Sequence, residues 1–199
     1  MPKARLLLLS YCSNSSLAAE LQDILASSAS LPLGTELVCS KTLLEGQSEL
    51  SAVASRVKPD LSFLILPPQV RGLTEFVETL RTATSGRPVA IVIDDTDAVN
   101  LRELLKAGAS DFIVAPLRTL DVQARVMRLL EPINREKALV DAIKELQRAL
   151  GIHVTGVYDR TTVLNVFDKQ REWQPKGAIA NAGQTSADFF NRLGLIRYH

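Results

Sequence analysis

The amino-acid sequence predicts an α/β fold in which a doubly wound, five-stranded parallel sheet is followed by a small all-α C-terminal domain. Residues 58–68 read KPDLSFLILPP, an apolar run that is too short for a stable helix and is closed by two prolines. Such a run is typical of a central strand buried on both faces. Short apolar runs alternate five times with segments of helical spacing, which requires a parallel sheet covered by helices. The predicted domains are residues 1–131 and 132–199.

Each predicted strand is a short apolar run followed by a polar or proline-containing stretch. The predicted strands are residues 5–9, 36–40, 61–66, 89–93 and 111–114. In an open parallel sheet, ligands and catalytic groups lie at the carboxyl ends of the strands. The central strand brings Ile65 and Leu66 to that edge, with no carboxylate, histidine, serine or cysteine. This absence is the main functional signal of the sequence.

Helices are predicted where leucine, isoleucine and valine recur three or four residues apart. The first two run from about residue 16 to 27 and from about 48 to 57. The third is marked by apolar residues between 73 and 80, the fourth by residues 101–105 with Gly108 as C-cap, and the fifth by residues 120–130. Pro132 is expected to end or bend the fifth helix, and a separate charged helix is predicted from 133 to 150.

The composition is that of an ordinary globular protein. The apolar fraction is 46% and the charged fraction is 23%, which excludes disordered and fibrous classes. No apolar run reaches the roughly 18 residues of a membrane span, and residues 6–9 are too few for a signal-peptide core. The predicted location is therefore the cytoplasm, where Cys12 and Cys39 are expected to pack as small buried residues. Residues 133–199 hold 10 Lys/Arg against 7 Asp/Glu, a net charge of +3 that is too small to predict nucleic-acid binding by itself.

Two motifs resemble the receiver domain of response regulators. PDLSFLIL at residues 59–66 is similar to the receiver pattern PDLxLLDL, and LLKAGASDFIVAPL at 104–117 is similar to LKAGAxDYLxKPF. The resemblance covers about residues 4–131. It implies a phosphorylated aspartate at the end of strand three and an acidic pair after strand one that binds magnesium. It also implies a Thr or Ser after strand four and a lysine before the proline that follows strand five.

Carried over residue by residue, the resemblance implies that this chain lacks every one of these groups. The acidic pair falls on Ser10 and Tyr11, the phospho-acceptor on Ile65, the hydroxyl on Ile93 and the lysine on Ala115. Only the aromatic switch position keeps its residue type, as Phe112. Paired carboxylates without an ion or a lysine would repel each other and lose solvation, so a joint loss is physically consistent. The chain is interpreted as a pseudo-receiver, which keeps the fold without the phosphotransfer site.

Three aspartates follow strand four and need a separate interpretation. Asp94, Asp95 and Asp97 could hold a cation near the predicted pocket, or they could cap the next helix. Capping is preferred, because aspartate accepts hydrogen bonds from free amides and complements the helix dipole at an N-terminus. No metal site, cofactor or catalytic residue is predicted.

Residues 145–170, ELQRALGIHVTGVYDRTTVLNVFDKQ, resemble the peptidoglycan-binding-like domain and its pattern LQxxLGxxVTGxxDxxTxxAVxxFQ. Gly151 is expected to end one helix, Thr155 and Gly156 to turn the chain, and Asp159 to cap the next helix. Lys169 departs from the pattern, which usually has an aromatic residue there, and the connection at 172–184 is longer. The domain is interpreted as a three-helix module for protein interaction or dimerisation rather than for glycan binding.

The preferred functional hypothesis is a non-enzymatic, phosphorylation-independent signalling adaptor. Its protein partner would bind a receiver helix face near the fourth and fifth helices, or the C-terminal domain, and that partner could be a second copy of the chain. Phe112 and Trp173 are the predicted interaction residues. The alternative is an atypical response regulator with a DNA-binding role, although no helix with clustered Arg, Lys and Asn supports nucleic acid as a partner. A small ligand above Ser10, Ile65 and Ile93 is a third hypothesis.

Overall fold

The computed structural model describes residues 4–10, 16–27, 36–40, 47–65, 72–94 and 101–173. Strands and helices alternate along the first part of the chain. The strands are β1 (Arg5–Ser10), β2 (Glu36–Ser40), β3 (Leu61–Ile65), β4 (Val89–Ile93) and β5 (Asp111–Val114). The helices are α1 (Ser16–Ala26), α2 (Gln47–Val57), α3 (Leu73–Ala83), α4 (Leu101–Lys106), α5 (Thr119–Ala149) and α6 (Arg160–Trp173).

The five strands form one parallel sheet in the order β2-β1-β3-β4-β5. β1 pairs with both β2 and β3, so the chain starts inside the sheet and winds outward in both directions. The predicted fold class, a doubly wound five-stranded parallel sheet followed by a helical region, is confirmed.

Both faces of the sheet are buried, which explains why its central strands are almost continuously apolar. Alternate residues of β1, β3 and β4 point to opposite faces. One apolar cluster joins Leu6, Leu8 and Phe63 to helices α1 and α5. The other joins Leu7 and Leu9 to helices α2, α3 and α4. The sequence pattern of the opening run therefore reflects burial on two sides.

Pro132 was expected to end or bend the fifth helix, and the prediction that the helix ends there and a separate one begins at 133 is wrong, because α5 continues through this proline from Thr119 to Ala149. A proline inside a helix removes one backbone hydrogen bond and crowds the preceding turn. Leu130 and Ile133 flank Pro132 and are both buried in the cluster on the α1 side of the sheet. Burial of these side chains offsets the local backbone cost, so tertiary packing overrides the proline signal.

The chain divides into two compact units, Met1–Asn134 and Arg135–His199. The division falls within α5, on the same helix as the predicted domain boundary at 131/132. In the second unit the structure describes the end of α5 and helix α6, and the predicted third helix lies outside the described residues. Within the described ranges, no helix has both the length and the apolar character needed to span a bilayer.

Candidate functional site

The carboxyl edge of the sheet brings together four of the residues that the receiver resemblance singles out. In the strand register Ser10 lies opposite Ile65, and Ile65 lies opposite Val92, the neighbour of Ile93. The backbone N–H of Ala115 donates a hydrogen bond to the carbonyl oxygen of Ile93 at 3.0 Å. We call these four residues the carboxyl-edge cluster: Ser10, Ile65, Ile93 and Ala115.

Side chains of the carboxyl-edge cluster belong to the core. Ile65 is 3% exposed and Ile93 is 1% exposed, and they point into the clusters on opposite faces of the sheet. Ser10 is buried, and Ala115 is half-buried against the same cluster as Ile65. The Ala115–Pro116 peptide bond is cis. Tyr11, the other predicted member of the site, lies outside the described residues.

The chemistry of this edge is that of an apolar sheet end. Aliphatic Ile65 has no oxygen that could accept a phosphoryl group, and Ala115 has no charge. Asp94 follows β4 and is exposed, whereas Asp95 and Asp97 are outside the described part of the chain, so their predicted role as helix caps stays a prediction. Over the ranges that the structure describes, no three His, Cys, Asp or Glu side chains are grouped closely enough to hold a metal ion.

At the opposite end of β5, an ion-pair network attaches helix α5 to the edge strand. Asp111 is buried, and its two carboxylate oxygens accept hydrogen bonds from Arg125 Nη1 at 2.8 Å and Arg128 Nη2 at 2.7 Å. Arg125 Nε also donates to Asp121 at 3.0 Å, and its Nη1 donates to the carbonyl of Phe112 at 3.0 Å. The hydrogen bond to Asp121, followed by that to Asp111, raises the pKa of Arg125 against the opposing effect of burial.

Sequence patterns do not predict this network, because it joins residues 14 and 17 positions apart through the tertiary fold. The signal available in the sequence is a charged residue, Asp111, at the start of an otherwise apolar strand. Phe112, a predicted interaction residue, is half-buried and packs against the cluster on the α4 side. Trp173 ends α6, and its side chain lies outside the described part of the structure.

In the second unit, one buried amide organises the turn between α5 and α6. Gln147 is 1% exposed, and its Oε1 accepts hydrogen bonds from the backbone N–H groups of Thr155 at 2.8 Å and Gly156 at 2.9 Å. Its Nε2 faces Thr155 Oγ1, the carbonyl of Val157 and Thr162 Oγ1 at 2.9–3.0 Å, and its two hydrogens are shared among these three acceptors. This set is called the Gln147 network: Gln147, Thr155, Gly156, Val157 and Thr162.

The ends of the helices beside the Gln147 network follow the predicted turn chemistry. Gly151 ends α5 with a φ of 70°, and Gly156 turns the chain with a φ of 77°. Asp159 caps α6, because its Oδ1 accepts hydrogen bonds from the backbone N–H of Thr162 at 2.8 Å and from the hydroxyl of Thr162 at 2.9 Å. The backbone hydrogen bond from Thr162 lowers the pKa of Asp159. The predicted cap and turn are confirmed.

With this topology, the first unit has the fold of a response-regulator receiver domain, the CheY-like fold. CheY4 of Vibrio cholerae superposes with a TM-score of 0.50 at 18% identity, covering 65% of this chain and 100% of that one. The protein cpaE of Burkholderia thailandensis E264 superposes with a TM-score of 0.52 at 15% identity, covering 64% and 98% of the two chains. Identities this low establish the fold alone. No family model matches the chain.

Among curated proteins, the chain is similar to the DNA-binding response regulator MtrA. The identity is 30% over 110 residues with MtrA of Mycolicibacterium paratuberculosis, which is 55% of this chain and 48% of that protein. MtrA of Mycobacterium tuberculosis H37Rv gives the same identity, over 47% of its length. The chain thus spans about half the length of the curated relatives it matches. It is response-regulator-like.

Proposed function

We propose that this chain is a non-enzymatic signalling adaptor whose receiver unit works without phosphorylation. The observation that carries the proposal is the carboxyl-edge cluster, in which Ile65 and Ile93 are buried side chains at the ends of the two central strands. Phosphotransfer to a receiver needs a carboxylate nucleophile and an oxygen-rich site for Mg²⁺. Ile65, Ile93 and Ala115 offer neither.

Surface composition supports two places for a protein partner. Among the residues that the structure describes, the exposed large apolar side chains all lie at or beyond Leu105. In the first unit they occupy α4, β5 and α5, where Leu120 is 81% exposed: Leu105, Val114, Leu120 and Met127. In the second unit they are Leu139, Val154, Val157, Tyr158 and Leu164. Exposed apolar side chains that group on a few elements favour protein contacts over isolated surface variation.

The location proposed for this adaptor is the cytoplasm, and its proposed partner is another protein or a second copy of the chain. Half-buried Phe112 lies on β5 between α4 and the exposed Val114, so it would rest at the base of such a contact. Arg125 and Arg128 on α5 are already paired with Asp111. These two arginines therefore stabilise the fold, and the exposed apolar side chains of the same face are the groups proposed to bind a partner.

The test is exposure of the full chain to acetyl phosphate and Mg²⁺, followed by mass spectrometry of the intact protein. We expect no covalent adduct of about 80 Da, the mass of one phosphoryl group. A receiver that retains the strand-three aspartate serves as the positive control under the same conditions. A stoichiometric adduct on this chain, mapped to any residue of the carboxyl edge, would contradict the proposal.

DNA binding is the second candidate, and the observation in its favour is the similarity to MtrA, a DNA-binding response regulator. An anisotropy titration of labelled duplex DNA at low and moderate salt separates the two candidates. A DNA-binding protein loses affinity steeply with added salt because it displaces counterions. For the adaptor we expect no saturable binding at either salt concentration, and tight, salt-dependent binding would favour the second candidate.

A further inference from the structure

Strand β5 is the last strand in the order of the described sheet, so one side of its backbone faces away from the other strands. In a parallel ladder, alternate residues of a strand direct their N–H and C=O groups to the same side. Ile93 pairs with Val114, and the carbonyl of Ile93 accepts the N–H of Ala115, the residue after Val114. Val114, and Phe112 two residues before it, therefore direct their own backbone groups to the outer side of the sheet.

Both outward-facing backbone groups of Phe112 are hydrogen-bonded to side chains. Its N–H donates to Asp111 Oδ1 at 2.9 Å, and its carbonyl accepts a hydrogen bond from Arg125 Nη1 at 3.0 Å. These are the two groups that an added strand would have to bond at this position. The outer edge is therefore already occupied within a strand of four residues.

The side chain of Arg125 is fixed at this edge by further ion pairs. Its Nη1 also donates to Asp111 Oδ1 at 2.8 Å, its Nε donates to Asp121 at 3.0 Å, and Arg128 holds the other oxygen of Asp111 at 2.7 Å. The side chain of Asp111 is 11% exposed, so solvent screens its ion pairs weakly. Hydrogen bonds between charged groups are roughly twice as strong as neutral ones. A strand that approached this edge would have to replace charge-assisted bonds with neutral main-chain bonds, which is unfavourable.

Exposed apolar side chains near this edge would favour association if the backbone were open. They lie on β5 itself, at Val114, and on the helices before and after it, at Leu105 and Met127. A second copy of the chain could bury such side chains while a strand pairs with an open edge. Charged side chains at an edge strand are a common means by which proteins prevent this pairing.

We propose that Asp111 and Arg125 form an edge block, which prevents β5 from pairing with a strand of a second copy of the chain. The edge block closes the backbone of β5 to strand addition and leaves the exposed side chains of the same face accessible. This role goes beyond the proposed function, because a sheet edge needs the same protection whether or not the receiver unit is phosphorylated.

The test compares the self-association of full-length variants by sedimentation velocity over a range of protein concentrations. Arg125→Met removes the donor to the Phe112 carbonyl. We expect its self-association to be at least about tenfold tighter than that of the wild type, because an added strand forms several main-chain hydrogen bonds. Arg118→Met is the matched control, since it makes the same substitution at an exposed position directly before α5. It should associate like the wild type.

Two more variants locate the contact on the backbone of β5. Arg125→Met/Val114→Pro places a proline where the missing N–H faces outward, so no hydrogen bond to β4 is lost and an apolar side chain is kept. We expect this double variant to associate like the wild type again. Asp111→Ala frees the N–H of Phe112 instead of its carbonyl and should associate like Arg125→Met, so the test does not depend on one variant alone.

Unchanged association of both Arg125→Met and Asp111→Ala would overturn the proposal. Equal association of Arg118→Met would overturn it as well, because it would show an effect of net charge or of the added methionine. Association that the proline leaves unchanged would also overturn it, since the contact would then use side chains rather than the strand edge. Unfolding midpoints of all variants, measured in parallel, establish that association is not a consequence of unfolding.

Discussion

The carboxyl-edge cluster and the Gln147 network are both buried, but the first is mainly apolar and the second is polar and hydrogen-bonded. At the carboxyl edge, positions that carry an acid, a hydroxyl and a lysine in the receiver pattern are occupied by Ile65, Ile93 and Ala115. In the second unit, a fully buried amide is retained and each of its polar atoms is hydrogen-bonded. A polar group in a core is stabilising when its partners belong to the same fold, and it is costly when they do not.

The difference between the two regions lies in where the partners of a buried polar group come from. Carboxylates of a phosphotransfer site are held apart and neutralised by an ion and a lysine, so they become a liability when the chemistry is lost. The partners of Gln147 are backbone N–H and carbonyl groups of one tight turn, together with two threonine hydroxyls. They are present whenever the turn is folded, so the amide stabilises the folded state independently of any ligand.

The largest effect is expected when an acid is placed at the carboxyl edge. Ile65→Asp places a carboxylate at a position that is 3% exposed, and we expect a loss of roughly 3–5 kcal/mol in the free energy of unfolding. Burial raises the pKa of such a carboxyl group, so the penalty is full at neutral pH and shrinks as the pH falls and the group is protonated in the folded state. Urea unfolding between neutral and mildly acidic pH measures this.

Ile65→Asn is the matched control for that variant, because it has nearly the same size and polarity without a charge. Its loss of unfolding free energy relative to the wild type should be the same at every pH in the series. If Ile65→Asp were as stable as the wild type at neutral pH, a cation or a lysine would have to compensate its charge. The interpretation of this edge as an apolar sheet end would then be wrong.

On the other side of the comparison, Gln147→Leu should cost about 3 kcal/mol, with the effect confined to the second unit. Leucine leaves the N–H groups of Thr155 and Gly156 without their acceptor. Hydrogen exchange followed by mass spectrometry should show faster exchange in peptides covering residues 145–173. Gln123→Leu, at a half-buried position on the same helix, is the control and should leave those peptides unchanged.

Sequence patterns predicted most of the fold because its elements depend on local chemistry. The limits of β2, β4 and β5 agree with the predicted apolar runs, and the cap at Asp159 follows from residues that are neighbours along the chain. The continuation of the helix through Pro132 and the ion pairs of Asp111 were not predicted, and the reason is the same for both. The helix continues past Pro132 because Leu130 and Ile133 are buried, and Asp111 pairs with arginines on a helix that only the tertiary fold places beside it.

The candidate site also has one part that the sequence predicts and one part that it does not. Strand order places Ser10 beside Ile65, and this adjacency follows when a doubly wound sheet starts at an interior strand that pairs with strand three. The motif at residues 145–170 contains every member of the Gln147 network. Its spacing does not predict that the Gln147 side chain bonds to all the others. The geometry of the network depends on where the turn crosses the helix, and a spacing pattern does not specify that crossing.

Two glycines beside the Gln147 network form a matched pair that separates backbone strain from crowding. Gly151 and Gly156 both have positive φ, so alanine should cost roughly 1–2 kcal/mol at either position. A Cβ at Gly151 would meet nothing within 4 Å, whereas one at Gly156 would lie 2.9 Å from Lys144 Cε and 3.0 Å from Val140 Cγ1. We therefore expect Gly156→Ala to lower the unfolding midpoint further than Gly151→Ala. Equal losses would show that the helix surface yields without cost.

Within the sheet, Ser62 is an exception to the rule that buried polar groups have hydrogen-bond partners in the same fold. Its hydroxyl is buried in the middle of β3 and, among the described side chains, it is the buried polar atom without a hydrogen-bond partner. Ser62→Ala should raise the free energy of unfolding by up to about 1 kcal/mol, because the hydroxyl loses hydration without regaining a bond. Thr84→Val is the opposite case, since it removes a buried hydroxyl bonded to Leu80 O at 2.9 Å, and it should be destabilising. Chemical denaturation of both variants checks the signs.

The smallest expected effect concerns the charge on Asp159, whose contribution can be separated from that of its hydrogen bonds. Hydrogen bonds from Thr162 lower the pKa of Asp159 below its ordinary value of 3.8, so the ionised form stabilises the folded state above that pH. This stabilisation is lost as the pH falls through the lowered pKa. Asn is as good a cap as Asp but has no charge, so Asp159→Asn should lower the unfolding midpoint slightly at neutral pH and not at all in strong acid. Asp159→Ala, which removes the cap as well, should remain less stable than Asp159→Asn at every pH, and a constant difference between Asp159→Asn and the wild type would show that charge plays no part in the cap.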